Sequence, residues 1–541
     1  MSISSYVDQA NSMSPKKMVT PQSQPIAGRE AEMARNTAGG FTFTLDQWGL
    51  LDRFIMIGSE SNQYYASARD TTKQSFANTL KCIKSDGLRT VARAVEYSIA
   101  GRAPKNDPAL IVLALAAAKG SPDVQTAAYE ALPKVARTGT HLFTFVEVLN
   151  TLGKWNAAAK RGLAKWYTNR AIEKLAVQVL KYQSRNGWSH RDVLRLAHIK
   201  PMNEVQQNLF KYVVKGGEAL ELGSSIPQLV VDFEHLKRAE SAKEVVRLIE
   251  SNSQISWELV PTQFLKDKNV LMALLPSMGM TAVIRQLGKL SAAGVIAPMS
   301  EGSRLVVSKL SDAESITSAR VHPITLLQAM KTYKQGHGDK GSLTWNADQR
   351  VLDAVDDAFY SSFSNVKDTG AGILMGVDCS GSMFAASVNG SPNLNAAEVA
   401  AVMALAIVKN QKNYWIGGFN TKMSELKITP SMRLDVVMNV MKRFSWGGTD
   451  CSLPMQHALQ HHMDVDGFCV ITDNETWAGN VQPTQALRNY RAAHVSTAKL
   501  VVIGTSVSNF TIADPKDSGM MDIAGFDSAA PAIIADFFSK R

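Results

Sequence analysis

The chain has 541 residues, of which 45% are hydrophobic and 20% charged; that is the balance of an ordinary soluble globular protein and excludes a disordered or fibrous one. The length exceeds what one core supports, so two or more domains are expected. The formal charge of +10 is unevenly spread: residues 1–367 hold 45 Lys and Arg against 33 Asp and Glu, whereas residues 368–541 hold 13 against 15. An anionic partner is therefore expected on the first two-thirds of the chain.

Four cysteines, Cys82, Cys379, Cys451 and Cys469, lie scattered without CxxC pairing or zinc-type histidine spacing. This fits a reduced intracellular chain with structural thiols. No secretory segment follows Met1, and no apolar run is long enough to span a bilayer. A cytoplasmic protein without membrane contact is expected.

Residues 1–26, rich in Ser, Gln, Pro and Met, read as a mobile tail. From about Phe41, apolar residues at three-and-four spacing predict helices over Leu45–Ile57, Thr72–Ser85, Gly87–Ile99, Pro108–Lys119, Ser121–Arg137, Leu142–Leu152, Lys160–Leu180, His190–His198 and Asn203–Lys215. Antiparallel pairs of this length are what a HEAT-type α-solenoid stacks, and strands are not expected among them.

Near Gly370 the pattern changes. Short apolar runs at Ile373–Val377, Tyr414–Phe419, Phe468–Thr472 and Leu500–Gly504 alternate with helix candidates at Leu394–Lys409, Ser431–Arg443, Leu453–His462 and Thr484–Ala493. Strands alternating with helices predict a parallel, doubly wound α/β sheet, whose ligands gather at the carboxyl ends of the strands.

The first of those strands ends in Asp378-Cys379-Ser380-Gly381-Ser382. One carboxylate and two hydroxyls in a tight loop suit a small divalent cation such as Mg²⁺, although a plain Asx or Ser turn gives the same local pattern. Two later loops, Trp446-Gly447-Gly448-Thr449-Asp450 and Ile471-Thr472-Asp473-Asn474-Glu475-Thr476, add a hydroxyl and a second carboxylate. In order, Asp378, Ser380, Ser382, Thr449 and Asp473 resemble the metal-ion-dependent adhesion site of von Willebrand factor A domains. That resemblance implies Mg²⁺ held by the serine and threonine hydroxyls, with the aspartates bound directly or through water and one place left for a partner's carboxylate or water. Cys379, at the variable position, reads as a thiol pointing into the fold.

No GxSxG, Walker-type loop or HExxH occurs. His457, His461 and His462 share one predicted helix without a glutamate between them and read as solvated or interfacial. No enzyme activity is expected.

The amino-terminal stretches are distinctive. Leu51–Glu60 runs into Tyr64-Tyr65-Ala66, and then come Gly101–Leu110, Arg137–Phe145, Asn186–Asp192, Leu259–Leu265 and His322–Leu327. Together with Thr472–Thr476 they resemble the TROVE module and its companion in the Ro autoantigen family, whose proteins bind small noncoding Y RNAs, and the resemblance is to the bacterial type. The resemblance runs from about Phe41 to the carboxyl end. It implies a TROVE domain over 27–367, a ring of HEAT-like helical repeats closed by a von Willebrand factor A domain over 368–541. It also implies a monomeric ring whose central hole takes single-stranded 3′ ends of misfolded noncoding RNA and whose outer basic face holds Y RNA, in RNA quality control. A 3′ exoribonuclease tethered through Y RNA is the implied further partner.

Lys181, Arg185 and His198 match positions that contact Y RNA in the family, and Arg191 and Lys200 lie close by. Read from charge alone, they form a solvated face. For the hole, Arg102, Lys105, Arg137, Thr140 and His141 fall on inter-helix loops that recur in the family, where helix capping is the plainer role. An alternative function is a metal-dependent protein-interaction scaffold whose basic helical part binds acidic protein.

Overall fold

A computed structural model describes every residue except 1–18, 59–67, 220–222, 320, 339–340, 363–367, 386, 389–390, 445–446, 507, 526, 528 and 540–541. Ser59, Glu60, Tyr64-Tyr65-Ala66 and Trp446, quoted above, and most of the predicted tail thus lie outside the described residues. The chain divides into two compact units, one of Met1–Ser75 with Phe363–Arg541 and one of Phe76–Ser362.

The unit Phe76–Ser362 is predominantly helical. Helix Ala68–Ala100 leads into it and is interrupted only at Asp86 (φ −155°, ψ 89°), where the loop Ser85-Asp86-Gly87 was expected. Helix Asp107–Lys119 opens with proline in its first turn and buries nearly every residue from Pro108 to Ala118. It packs on helices Pro122–Val135 and Gly139–Thr151, and Pro122–Val135 packs in turn on Ala157–Thr168. A Cβ on Gly162 would lie 2.4 Å from the Tyr129 ring, so only glycine permits that approach.

The single helix expected over Lys160–Leu180 is two, Ala157–Thr168 and Ile172–Lys181. Arg170 turns back between them: its guanidinium lies 3.8 Å over the Trp166 ring, and Nη1 donates to the Trp166 carbonyl at 2.6 Å. A two-stranded hairpin was not expected here, yet Ser184–Arg185 pairs antiparallel with Trp188–Ser189. Asn186 and Gly187 at its tip both have positive φ, 54° and 78°, the backbone of a tight primed turn. Beyond it, helices continue from His190–Ala197 through Gln349–Ser361.

Within this unit, segments 220 residues apart meet. His322 Nδ1 accepts from the Ile324 amide, and its Nε2 then donates to the Arg102 carbonyl at 3.1 Å. The unit holds 37 Lys and Arg against 26 Asp and Glu, so the positive excess resides there.

The other unit is built on a six-stranded sheet in the order Met520–Ala524, Lys499–Gly504, Gly467–Thr472, Ile373–Asp378, Tyr414–Phe419, Met423–Glu425. All neighbours are parallel except the last pair. Ile373–Asp378 and Gly467–Thr472 are buried at every residue, as central parallel strands between helical layers must be. Phe468, Val470, Leu500 and Val502 share a core with Met455 and Ala458 of helix Leu453–Gln460 and Leu487 and Tyr490 of helix Pro483–Ala493. Helix Ala396–Asn410, started by an Asn395–Glu398 capping box, packs on the central strand.

The amino-terminal segment belongs to this second unit. Met33–Arg35, Phe41–Thr44 and Phe510–Thr511 form a small antiparallel sheet over a core of Ile26, Met33 and Phe43. Buried Arg53 pairs with Asp522 at 2.7 Å and donates to Ser508. Residues 19–26, placed in the tail by composition, include Gln22 with no exposed surface.

Candidate metal centre and basic surface

The strand register delivers two of the three loops to one edge of the sheet. Val377 lies opposite Ile471, so Asp378 and the Thr472–Asp473 turn emerge side by side. The Thr472 hydroxyl donates to Asp378 Oδ2 at 2.7 Å, and the Ser380 amide donates to Asp378 Oδ1 at 2.9 Å. Ser380 Oγ and Ser382 Oγ are 3.2 Å apart, and Ser382 hydrogen-bonds the Asp473 carboxyl. Thr449 is buried, its carbonyl accepting from the amides of Trp477 and Ala478, each at 3.0 Å. Gly448 allows this closeness, since a Cβ there would stand 2.6 Å from the Trp477 ring.

Asp378 and Asp473 are both buried. Burial, with repulsion from Asp473 second, pushes the Asp378 carboxyl up to about 7. Burial also raises Asp473. No cationic side chain contributes to either shift among the described residues. Two buried carboxylates without a counter-charge are costly, and a divalent cation removes that cost. The donors are all oxygen, which suits a hard ion such as Mg²⁺. The thiols stay out of the way: Cys379 Sγ turns to the Val377 carbonyl at 3.5 Å, and burial raises its pKa well above the ordinary thiol range. Among the described residues, no group of three or more His, Cys, Asp or Glu side chains could hold a metal. The fit to Mg²⁺ rests instead on a mixed set of five oxygen donors, the three hydroxyls of Ser380, Ser382 and Thr449 and the two carboxylates of Asp378 and Asp473.

Sequence reasoning missed Gln22. Its Nε2 donates to Asp450 Oδ1 at 2.7 Å and to the Val481 carbonyl at 2.9 Å. Its Oε1 accepts from the Thr476 hydroxyl and from the Gly479 amide at 3.2 Å. Nearby, Asn36 Nδ2 donates to the Thr476 carbonyl at 2.7 Å, and Glu475 accepts from the Thr37 hydroxyl and, at 3.0 Å, from the Ala38 amide. Burial first, then Asp473, pushes Glu475 up to about 7. No local signal marks Gln22, because its partners lie more than 400 residues away.

In the helical unit the basic candidates fall into two groups. Lys181 ends helix Ile172–Lys181, half-buried, with Nζ 3.3 Å from Glu258 Oε1. Arg185 is exposed on the hairpin, with Nη2 3.3 Å from Asp107 Oδ1. Arg191, His198 and Lys200 are exposed, and their side chains make no hydrogen bond or ion pair among the described residues. His198 takes the left-handed cap of its helix (φ 51°, ψ 48°).

The other group is more tied down. Arg102 lies 4.0 Å over the Tyr97 ring and pairs with Glu96 at 2.8 Å. Arg137 Nη1 donates to the Ser98 carbonyl at 3.0 Å and hydroxyl at 2.8 Å. Thr140 meets Thr138, the helix cap, at 2.9 Å, and Lys105 is exposed. His141 is held neutral: burial first, then Arg137 and Arg185, lower its pKa to about 4. Asp107 Oδ1 also accepts from Thr144 at 3.2 Å, and Arg185 of the first group lies close enough to His141 of the second to act on its charge, as Arg137 and Asp107 do.

Comparison with known proteins agrees with this architecture. A family model described as the TROVE domain matches residues 34–332, and one described as the Ro60 vWA domain matches residues 372–538. The chain is 36% identical over 526 residues to "RNA-binding protein RO60" of Deinococcus radiodurans, covering 96% of this chain and 98% of that one. It is 31% identical over 602 residues to the protein of the same name from Caenorhabditis elegans, covering 97% and 92%. It is also similar to the crystal structure of the Deinococcus radiodurans RO (RSR) protein, with a TM-score of 0.71 at 34% identity, covering 91% of this chain and 99% of that one. A helical TROVE region, then a von Willebrand factor A domain with a mainly parallel sheet, over nearly the whole length of these relatives: the chain belongs to the Ro protein family.

Proposed function

We propose that this protein is a noncatalytic RNA-binding protein of the cytoplasm. Small noncoding RNA of the Y class lies along the surface of Lys181, Arg185, Arg191, His198 and Lys200. Single-stranded 3′ ends of misfolded RNA engage the loops of Arg102, Lys105, Arg137, Thr140 and His141. The observation that carries this reading is the segment 181–200, where half-buried, ion-paired Lys181 ends one helix and Arg185, Arg191, His198 and Lys200 stand exposed on a hairpin and the helix after it, the side chains of the last three making no ion pair or hydrogen bond among the described residues. Such side chains supply phosphate contacts, which give affinity with little sequence preference. The positive excess of the helical unit and the two relatives named as RNA-binding proteins support the same reading.

In this proposal Asp378, Ser380, Ser382, Thr449 and Asp473 would hold Mg²⁺, with a place left for a partner's carboxylate or water. RNA bound by the helical unit tethers a 3′ exoribonuclease, which places the protein in RNA quality control. The all-oxygen centre favours a second reading, a metal-dependent protein-interaction scaffold whose basic helical part binds acidic protein. Ultraviolet crosslinking in cells, followed by purification and sequencing of attached RNA, separates the two. The RNA reading expects small structured noncoding RNAs crosslinked within residues 102–200. Recovery of acidic proteins without RNA would establish the scaffold instead.

A further inference from the structure

The amino-terminal segment holds the metal-bearing loops together, although it lies hundreds of residues from them in sequence. Gln22 is fully buried, and all its amide capacity is spent on two loops: Asp450, next to Thr449, on one side, and Thr476, Gly479 and Val481, just after Asp473, on the other. Asp450 in turn accepts from the Ser452 amide at 3.0 Å and from its hydroxyl, and Thr476 Oγ1 accepts from the Cys451 amide at 3.0 Å. Gln22 therefore closes a hydrogen-bonded circuit linking Thr449 to the loop that carries Asp473. Asn36, Thr37 and Ala38 bind the same loop from the adjoining turn. The approach is too close for substitution: a Cβ on Gly40 would stand 1.9 Å from the Thr476 carbonyl oxygen, and one on Gly479 2.3 Å from Gln22 Nε2.

We propose that Gln22 is a positioning residue for the metal site, and that ordering of residues 19–44 and metal binding are coupled. The inference rests on the Mg²⁺ reading given above. Residues that orient ligands without touching the metal commonly govern affinity by roughly 10- to 100-fold. Coupling between two binding events is reciprocal, so a segment that tightens the site is itself held more firmly when the site is filled. Any partner or protease that withdraws this segment would thereby loosen the metal.

The test uses the full-length chain, with Mg²⁺ titrated by calorimetry into wild type, Gln22→Ala, Gly479→Ala and Asp378→Ala. Each variant is first shown by circular dichroism to be folded at the temperature used. Gly479→Ala attacks the same contact from the other side, because its methyl would stand 2.3 Å from Gln22 Nε2 and 2.4 Å from Asp450 Oδ1, the two partners of that hydrogen bond. Hydrogen exchange over residues 19–44 is measured in parallel with and without Mg²⁺. The expected result is Mg²⁺ affinity weakened roughly tenfold or more in both Gln22→Ala and Gly479→Ala, with Mg²⁺ slowing exchange of the segment in wild type and not in Asp378→Ala. Wild-type affinity in both variants, or exchange in the wild type indifferent to Mg²⁺, overturns the coupling while leaving the metal site standing. Absence of Mg²⁺ binding by the wild type overturns the metal reading itself, and this inference with it.

Discussion

Arg185 and Asp107, 78 residues apart, meet with Nη2 3.3 Å from Oδ1, so a surface carboxylate partly occupies an arginine that faces solvent. Asp107 also anchors Thr144 and begins its helix. RNA phosphate arriving at Arg185 must compete with this carboxylate. Asp107→Asn keeps the helix start and removes the competing charge, so RNA affinity should rise a few-fold. Arg185→Ala should lower it by about tenfold, the worth of one charge-assisted contact. Fluorescence anisotropy with a labelled structured RNA at fixed salt reads both changes.

The proposed Mg²⁺ site predicts a stability that depends on pH and Mg²⁺ together. The folded-state pKa of Asp378, raised to about 7 from 3.8, means that the metal-free fold holds a proton which the unfolded chain has lost. Stability of the metal-free protein therefore falls as pH rises from about 4 to about 7. Mg²⁺ takes the proton's place, so stabilisation by Mg²⁺ should grow over the same window, reaching about 2.7 kcal/mol at a hundredfold excess over Kd. Melting temperatures in EDTA and in Mg²⁺ at pH 5.5 and pH 8 measure it, and Asp378→Asn should abolish the difference.

How far the sequence carried this site depends on where its parts lie. Asp378, Ser380 and Ser382 are contiguous and end an apolar run, so their shared loop is readable. Asp473 follows from the end of strand Gly467–Thr472, whereas Thr449, in the loop between helices Leu434–Lys442 and Leu453–Gln460, follows only from the order of the resembling motif. Gln22 is not readable, because a glutamine among Pro21, Ser23 and Pro25 acquires meaning only from tertiary contact. In the helical unit the hairpin at 184–189 left a usable sign, the Asn186-Gly187 pair whose positive φ angles fit a primed turn. Its strands, two residues each, are too short to show alternation. The break at Asn169–Ala171 carries no glycine or proline, and the turn of Arg170 onto Trp166 sets it instead.

His190 predicts acid sensitivity of the helical unit. It is buried between Phe143 and Trp166, with Nδ1 2.7 Å from the Tyr167 hydroxyl. Burial lowers its pKa from 6.5 to about 3. The unfolded chain gains a proton there as pH falls through 6.5 and the folded chain does not, so stability present above pH 6.5 is lost progressively towards pH 3. His190→Leu should melt lower at pH 7.5 yet lose less on going to pH 4.5, as circular dichroism would record.

Buried Arg53 is held by Asp522 and Ser508 within the unit that carries the candidate metal site. Asp522→Ala leaves a guanidinium buried without its counter-charge, which costs about 3–5 kcal/mol. Urea denaturation followed by far-ultraviolet circular dichroism should show that loss, and Arg53→Met with Asp522→Leu together should recover part of it.

The most direct measurement is the salt dependence of RNA affinity for wild type and for the triple variant Lys181→Ala, Arg185→Ala, His198→Ala. Log affinity of the wild type should fall steeply with log salt. The triple variant should bind about a hundredfold more weakly, with the slope reduced by about 2 as phosphate contacts are lost. Equal affinity and equal slope in the two proteins would contradict RNA binding at this surface.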